Sequence, residues 1–395
     1  MVSIARKTLF FDRVPFAVAQ AGIIFSVSLV SIQMGLFWGF TRSTSIIVDR
    51  SRADIWVVSN KLQQLDLTLP IPYRRVAEAR QVQGVDHAEP FLFQEATWQK
   101  GTQPIAPVTV IGIEPNSQLF RLESLAQGQQ SDLKDPYTAI LNDADMQDLG
   151  IDKLHSSALI RPFPVKIVGT TQGLRSVISS PYLFTSIESG YAYITTNATR
   201  NTPNNTTYPK FPAKLSSEND ITAVLIRVKA GEDLQGLKRR LETALPNTHI
   251  YTRAELSQLT QTYWLNNTGV TFILGLGAVV AAIVGTVVVS QVLYLNVLRH
   301  LGEFATLKAM GASNGVLYKI VFEQAFWMAL LGYLPGIALC VALGSWTAHT
   351  QAIQILVTPQ IAAEVLGLTL GMGTISAVVA VQKVAGLDPA LVFEP

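Results

Sequence analysis

Four long apolar runs divide the chain, at residues 14–40, 268–298, 322–348 and 362–382. Each is at least as long as the ~20 residues with which a helix crosses a bilayer core. Two are unusually pure, since 268–295 and 324–348 contain no Asp, Glu, Lys or Arg. The pattern predicts four transmembrane helices. Between the first and second runs, residues 41–262 change character and predict an α+β domain. Strands are expected at 54–59 (DIWVVS), 85–98 and 107–113, with a helix from Pro72 to Gln83 that opens on proline and is closed by Gly84. A second strand–helix–strand run is expected at 221–229, 232–245 and 247–251, followed by a helix over 252–266. The two β-α-β stretches share a plan and are expected to be two halves of one lobe. Residues from about 114 to 220 form a β-rich inserted lobe, with TAILN (138–142), a helical turn to Gly150, PVKIVGT (164–170) and YAYITT (191–196). Residues 197–212 are a polar, proline-containing loop, in which the sequons at Asn197 and Asn205 are read as chance.

Composition fits this picture. Of 395 residues 49% are hydrophobic and 15% charged, which places the chain in the membrane class. A net charge of +2 gives no reason to expect a nucleic-acid partner. The single cysteine, Cys340, excludes an intrachain disulfide, and the five histidines show no ligand spacing. The sequence holds no G-x-x-x-x-G-K-[ST] loop and no HExxH, so any ATP hydrolysis belongs to another polypeptide. The apolar runs hold no charged residue near their middle, and Glu323, Glu364 and Lys383 all sit near predicted helix ends. Ion-coupled transport needs ionisable groups at membrane depth, so this argues against a secondary transporter.

Charge also sets an expected topology. Residues 299–319 carry Arg299, Lys308 and Lys319, whereas 349–361 carry no Lys or Arg. The first loop is therefore expected inside and the second outside, with the N-terminus inside and 41–262 outside. Trp38, Trp264 and Trp346 then all fall at outer ends, as an interfacial belt would place them. Residues 1–13 carry Arg6, Lys7 and Arg13 before a long apolar run without a small-residue cleavage site, which reads as an uncleaved anchor.

The organising stretch is 296–325, NVLRHLGEFATLKAMGASNGVLYKIVFEQA, a short basic amphipathic segment between two of the apolar runs. Phe304, Leu307, Met310 and Leu317 can share one side of a helix, with Lys308 and Lys319 off it, and Gly311-Ala312-Ser313-Asn314 reads as a turn. Small residues recur four apart at Gly277, Ala281 and Gly285, at Gly332 and Gly336, and at Gly367 and Gly371, which permits close helix contact.

The residues Glu303-Phe304-Ala305, Lys308-Ala309-Met310-Gly311-Ala312 and Phe322-Glu323-Gln324-Ala325 resemble the coupling region of MacB/FtsX-type ABC transporter permeases. Lys383-Val384-Ala385-Gly386-Leu387-Asp388-Pro389-Ala390 is similar to the closing signature of that family. Ala305 stands where the family usually has glycine, and Gly302 where it often has arginine. Residues 21–35 (AGIIFSVSLVSIQMG) resemble the first span of the cyanobacterial DevC group, through Ala21-Gly22-Ile23, Gln33 and Gly35.

The resemblance implies a four-helix membrane subunit with a periplasmic domain of porter-like and inserted lobes. Its divisions are residues 1–40, 41–262 and 263–395, with a coupling helix at 299–319. It implies no catalysis by this chain and no cofactor bound to it, with ATP and Mg held by a separate ATPase in two copies. Arg299, Glu303, Phe304, Leu307, Lys308, Met310, Gly311, Ala312 and Glu323 would serve the ATPase contact. A homodimer in the bacterial inner membrane, a periplasmic membrane-fusion protein, a TolC-like outer-membrane channel and a lipid or amphiphile cargo are also implied. The family offers two other readings: an FtsX-like signalling scaffold for a periplasmic enzyme, and a LolC/LolE-like lipoprotein-extraction subunit.

Overall fold

The computed structural model describes residues 13–101, 104–160, 162–175, 179–197, 208–350 and 355–385. Arg6 and Lys7, the 198–207 part of the polar loop with Asn205, and the closing motif from Gly386 onward lie outside the described residues. The chain divides into two compact units, a sheet unit of Thr41–Asn267 and a helical unit of Met1–Phe40 with Thr268–Pro395.

Helix α1 is Arg13–Thr44, the first apolar run. The sheet unit then takes the chain through α2 (Ile46–Arg50), β1 (Ile55–Ser59), β2 (Ile71–Pro72), α3 (Arg74–Gln81), β3 (Val85–Gln99) and β4 (Ala106–Ile113). It continues through β5 (Leu125–Gln127), β6 (Thr138–Asn142), β7 (Ser157–Ile160), β8 (Phe163–Thr171), β9 (Tyr182–Ser186) and α4 (Ile187–Asn197). It ends with β10 (Asp220–Ile221), β11 (Ala223–Val228), α5 (Leu234–Ala244), β12 (Thr248–Thr252) and α6 (Arg253–Asn267).

Four strands lie in the order β12-β1-β11-β3, antiparallel throughout. Their chain order, β1-α3-β3 and then β11-α5-β12, is the split β-α-β arrangement. Local signals set both halves. Gly84 takes φ +101° between α3 and β3, a backbone state that glycine enters freely. Asp233 caps α5 by accepting from the Gln235 and Gly236 N–H groups at 3.1 and 2.8 Å. Strand alternation then sorts side chains to two faces. Ile55 and Val57 are buried with Val76 and Ala79 of α3 and Leu237 and Leu241 of α5. Trp56 and Val58 face the other way, into an aromatic core with Phe91, Phe93, Phe120 and Phe184. Every residue of β1 is buried because both faces are covered.

The inserted strands extend this sheet. Residues 85–91 of β3 pair with β11, and residues 92–98 pair with β4. The order then runs β4-β9-β6-β8-β5, with β4–β9 and β6–β8 parallel and β7 beside β3 and β8. Buried Glu89 fixes the loop where the insertion departs. It accepts the Gln118 and Leu119 N–H groups at 2.8 and 3.3 Å and the Ser117 hydroxyl. A buried carboxylate requires such donors.

One expected strand is a helix. Residues 191–196 lie in α4, not in a strand, and the strand of this region is β9, upstream. Ser186 explains the difference, because its Oγ accepts the Ser189 N–H at 3.2 Å and starts the helix. Tyr193 then buries its ring and donates to the Pro164 carbonyl at 3.3 Å. Capping and burial override the β-favouring aromatic composition.

The helical unit adds α7 (Gly269–Arg299), α8 (Leu301–Ala309), α9 (Asn314–Thr350) and α10 (Pro359–Ala385) to α1. Among the described residues four helices are long and apolar enough to cross a membrane: Phe16–Thr44, Gly269–Arg299, Gly315–Thr347 and Pro359–Val378. Helix α9 begins well before residue 322, because the Ser313 carbonyl accepts the Val316 and Leu317 N–H groups at 3.0 and 3.4 Å. Trp264 donates its indole N–H to Gln64 Oε1 at 3.0 Å within the sheet unit, so an internal contact accounts for its position.

Candidate functional site

The joint between α7 and α9 is built on three backbone hydrogen bonds. His300 ends α7 and starts α8, and its carbonyl accepts the Phe304 N–H at 3.1 Å. Its Nδ1 lies 3.1 Å from Glu303 Oε1. At the other end of α8, Gly311 takes φ +93°. The Gly311 N–H donates to Lys308 O and the Ala312 N–H to Leu307 O, each at 3.0 Å. Those paired bonds are a Schellman motif, which satisfies the last carbonyls of the helix and turns the chain. The turn is therefore set by backbone geometry that glycine adopts most cheaply.

Side chains give α8 two faces. Phe304 and Ala305 are buried, each 3% exposed, with Leu317, Val321 and Ala325 of α9 also inside the helical unit. Leu307, Lys308, Ala312 and Glu323 are half-buried. Arg299, Glu303 and Gly311 are exposed, and Met310 is 71% exposed. Met310 thus leaves the apolar side expected for it, because it is the C-cap of α8 and the turn has begun. Glu303 in the first turn and Lys308 in the last match the helix dipole, each worth about 0.3–1 kcal/mol at most. The two departures from the family pattern are accommodated. Ala305 fills a packed position, and Gly302 is exposed with nothing within 4 Å of where a Cβ would stand.

The three small-residue stripes do different things. A Cβ on Gly332 would come 2.4 Å from Ile23 Cγ2, and one on Gly336 2.8 Å from Val27 Cγ1, so this stripe lets α1 and α9 approach closely. A Cβ on Gly277 would stand 2.9 Å from Gln33 Oε1, Ala281 is buried with Val30 and Met372, and a Cβ on Gly285 would stand 3.0 Å from Met372 Sδ. Gly367 and Gly371 are exposed, and a Cβ on either would meet nothing within 4 Å among the described residues.

Sequence reading placed Ser313 in the turn without its role at the start of α9, and it left His300, between α7 and α8, unremarked. Ser313 carries the signal of a helix N-terminus, a small polar residue immediately before a long apolar run. His300 carries none. Among the described residues no three His, Cys, Asp or Glu side chains converge as metal ligands.

Two family descriptions match the chain. The MacB-like periplasmic core domain matches residues 16–244, and the FtsX-like permease C-terminal domain matches residues 273–389. No curated protein matches it. Among solved structures, the chain is similar to the periplasmic region of MacB from Actinobacillus actinomycetemcomitans, at TM-score 0.37 and 11% identity, over 56% of this chain and 96% of that one. It is similar to the extracellular domain of the noncanonic ABC-type transporter YknZ from Gram-positive bacteria, at TM-score 0.33 and 10% identity, over 46% and 90%. A domain of a putative permease protein from Porphyromonas gingivalis gives TM-score 0.33 and 14% identity, over 51% and 87%.

Proposed function

This chain belongs to the MacB/FtsX-type ABC transporter permease family, and from that premise we propose that it is a non-catalytic transmembrane subunit driven by a separate ATPase. The observation that carries the reading is the capped helix α8, held between two long apolar helices with its Phe304 face buried and its Glu303 and Met310 side exposed. A nine-residue helix is too short to be stable alone. Its Schellman turn and buried face therefore fix its direction relative to α9. Such an element transmits a push where a flexible loop would absorb it. Two ATPases closing on ATP and Mg would press on α8 in each of two copies of the chain. α1 and α7 would carry the motion to the sheet unit, which works on cargo at the periplasmic side.

The resemblance of residues 21–35 to the DevC group supports export of a lipid or other amphiphile, with a membrane-fusion protein and a TolC-like duct. Gly22 and Gly35 lie beside Val288 and Ile355, and Gln33 beside Gly277. These residues are explained by packing, so the cargo proposal rests on the resemblance.

The topology that the mechanism requires is directly testable. In a Cys340→Ala background, Lys214→Cys places a thiol at an exposed position of the sheet unit. It is expected to react with an impermeant reagent on cells whose outer membrane alone is permeabilised. Labelling only after the inner membrane is broken would place the sheet unit in the cytoplasm and end the proposal.

A further inference from the structure

A cavity of about 600 Å³ opens in the sheet unit beside the point where β3 changes partner from β11 to β4. Its walls come from the 64–70 loop, residues 92–95 of β3, α4 and residues 220–222. Its size falls in the range of about 300–1,000 Å³ typical of small-molecule sites, and so does its place at a junction of two lobes. Leu65, Phe93 and Ile221 are buried side chains of the wall, and Ile194 adds to its apolar part.

The charges around it have one sign. Asp66, Glu95 and Asp220 line the cavity, and among the described residues no Lys, Arg or His does. Among the described residues none of the three is in an ion pair. Burial of its carboxyl, and second the nearby Glu95 charge, push Asp66 up to about 6 against a lowering hydrogen bond from Gln64, although the residue as a whole is exposed. The titratable groups facing it are Glu95 on β3, Tyr191 on α4 and Asp220 on β10. Ser180 Oγ donates to Glu95 at 3.4 Å, and Asn219 Nδ2 donates to the Tyr191 hydroxyl at 2.8 Å. Among the described residues no positive side chain lines the cavity beside these carboxylates, so a ligand's positive charge would relieve their repulsion.

We propose that this cavity binds an organic cation with an apolar body, an amine or quaternary ammonium on an aromatic or aliphatic group. The charged head lies between Asp66 and Glu95, and the body lies against Leu65, Phe93 and Ile194. The wall residue Gln64 also accepts the Trp264 indole N–H, which ties the site to α6, the last helix before α7.

The test is calorimetric titration of the full chain in lipid nanodiscs with benzyltrimethylammonium, against empty nanodiscs, with phenylacetate as the anionic control. Saturable binding of the cation alone is expected at about pH 7.5. E95Q and D66N, both at exposed positions that should not disturb folding, are each expected to weaken it about fivefold. Lowering the pH to about 5 is expected to weaken the wild type similarly, as Asp66 takes up a proton on passing through about 6. Absence of saturable binding, equal binding of phenylacetate, or unchanged affinity in both variants would overturn the proposal. The titration needs no ATPase, so its failure would leave the coupling role of α8 standing, and loss of that role would leave the cavity standing.

Discussion

Gly311→Val is expected to lower stimulation of the partner ATPase about tenfold while leaving membrane insertion intact. Gly311 sits at φ +93°, and a Cβ there would meet nothing within 4 Å among the described residues. The penalty is therefore conformational and local. A left-handed backbone costs an L-residue about 1–2 kcal/mol, and a β-branched one more. That exceeds the ~0.3–1 kcal/mol contributed by Glu303 at the start of α8, so Glu303→Gln is expected to do less. Valine would break the paired bonds to Leu307 and Lys308 and release the direction of α8. Gly311→Asn supplies the control, since asparagine tolerates positive φ and should retain most of the coupling. Hydrolysis rates in reconstituted lipid check all three. A wild-type rate for the valine variant would reduce the turn to a connector.

Phe91→Ala is expected to lower the melting temperature of the sheet unit by about 10 °C or more. The ring lies 5.1 Å from Trp56, 5.5 Å from Phe120 and 6.4 Å from Phe93, centroid to centroid. It stands at the residue where β3 leaves β11, so both parts of the sheet lose packing with it. Truncating such a side chain costs about 3–5 kcal/mol, a large share of a domain stability of about 5–15 kcal/mol. Thermal unfolding of the purified full chain, followed by near-ultraviolet circular dichroism, reads the change. A midpoint within about 2 °C of wild type would mean that the aromatic cluster is not the centre of the sheet unit.

The sequence was most informative where a local rule and burial agree. Gly84 and Gly311 mark turns, and both take the positive φ that makes glycine the economical residue there. The apolar runs become the long helices because 20 or so residues without charge have few other solutions. Misreadings arose where tertiary contacts outvoted composition. YAYITT is β-favouring in isolation, yet Ser186 caps a helix and Tyr193 finds a core. Met310 fits an apolar helical stripe only if the helix continues, and the Schellman turn ends it one residue too early. The glycine stripes look alike in sequence. Only the structure separates Gly332 and Gly336, pressed on α1, from Gly367 and Gly371, where an added Cβ would meet nothing within 4 Å among the described residues. The long strand at 85–98 was legible, but its division between two partners was not, because period-two alternation does not say which partner each half will find.

Contact between α8 and the ATPase is the central claim, and site-specific photo-crosslinking addresses it most directly. Position 302 is exposed and has room for a photoreactive side chain, and position 214 of the sheet unit serves as the comparison. In membranes containing the ATPase that co-purifies with this chain, a crosslink to it is expected from position 302 and none from position 214. Co-purification of the ATPase with no crosslink from position 302 would contradict the account.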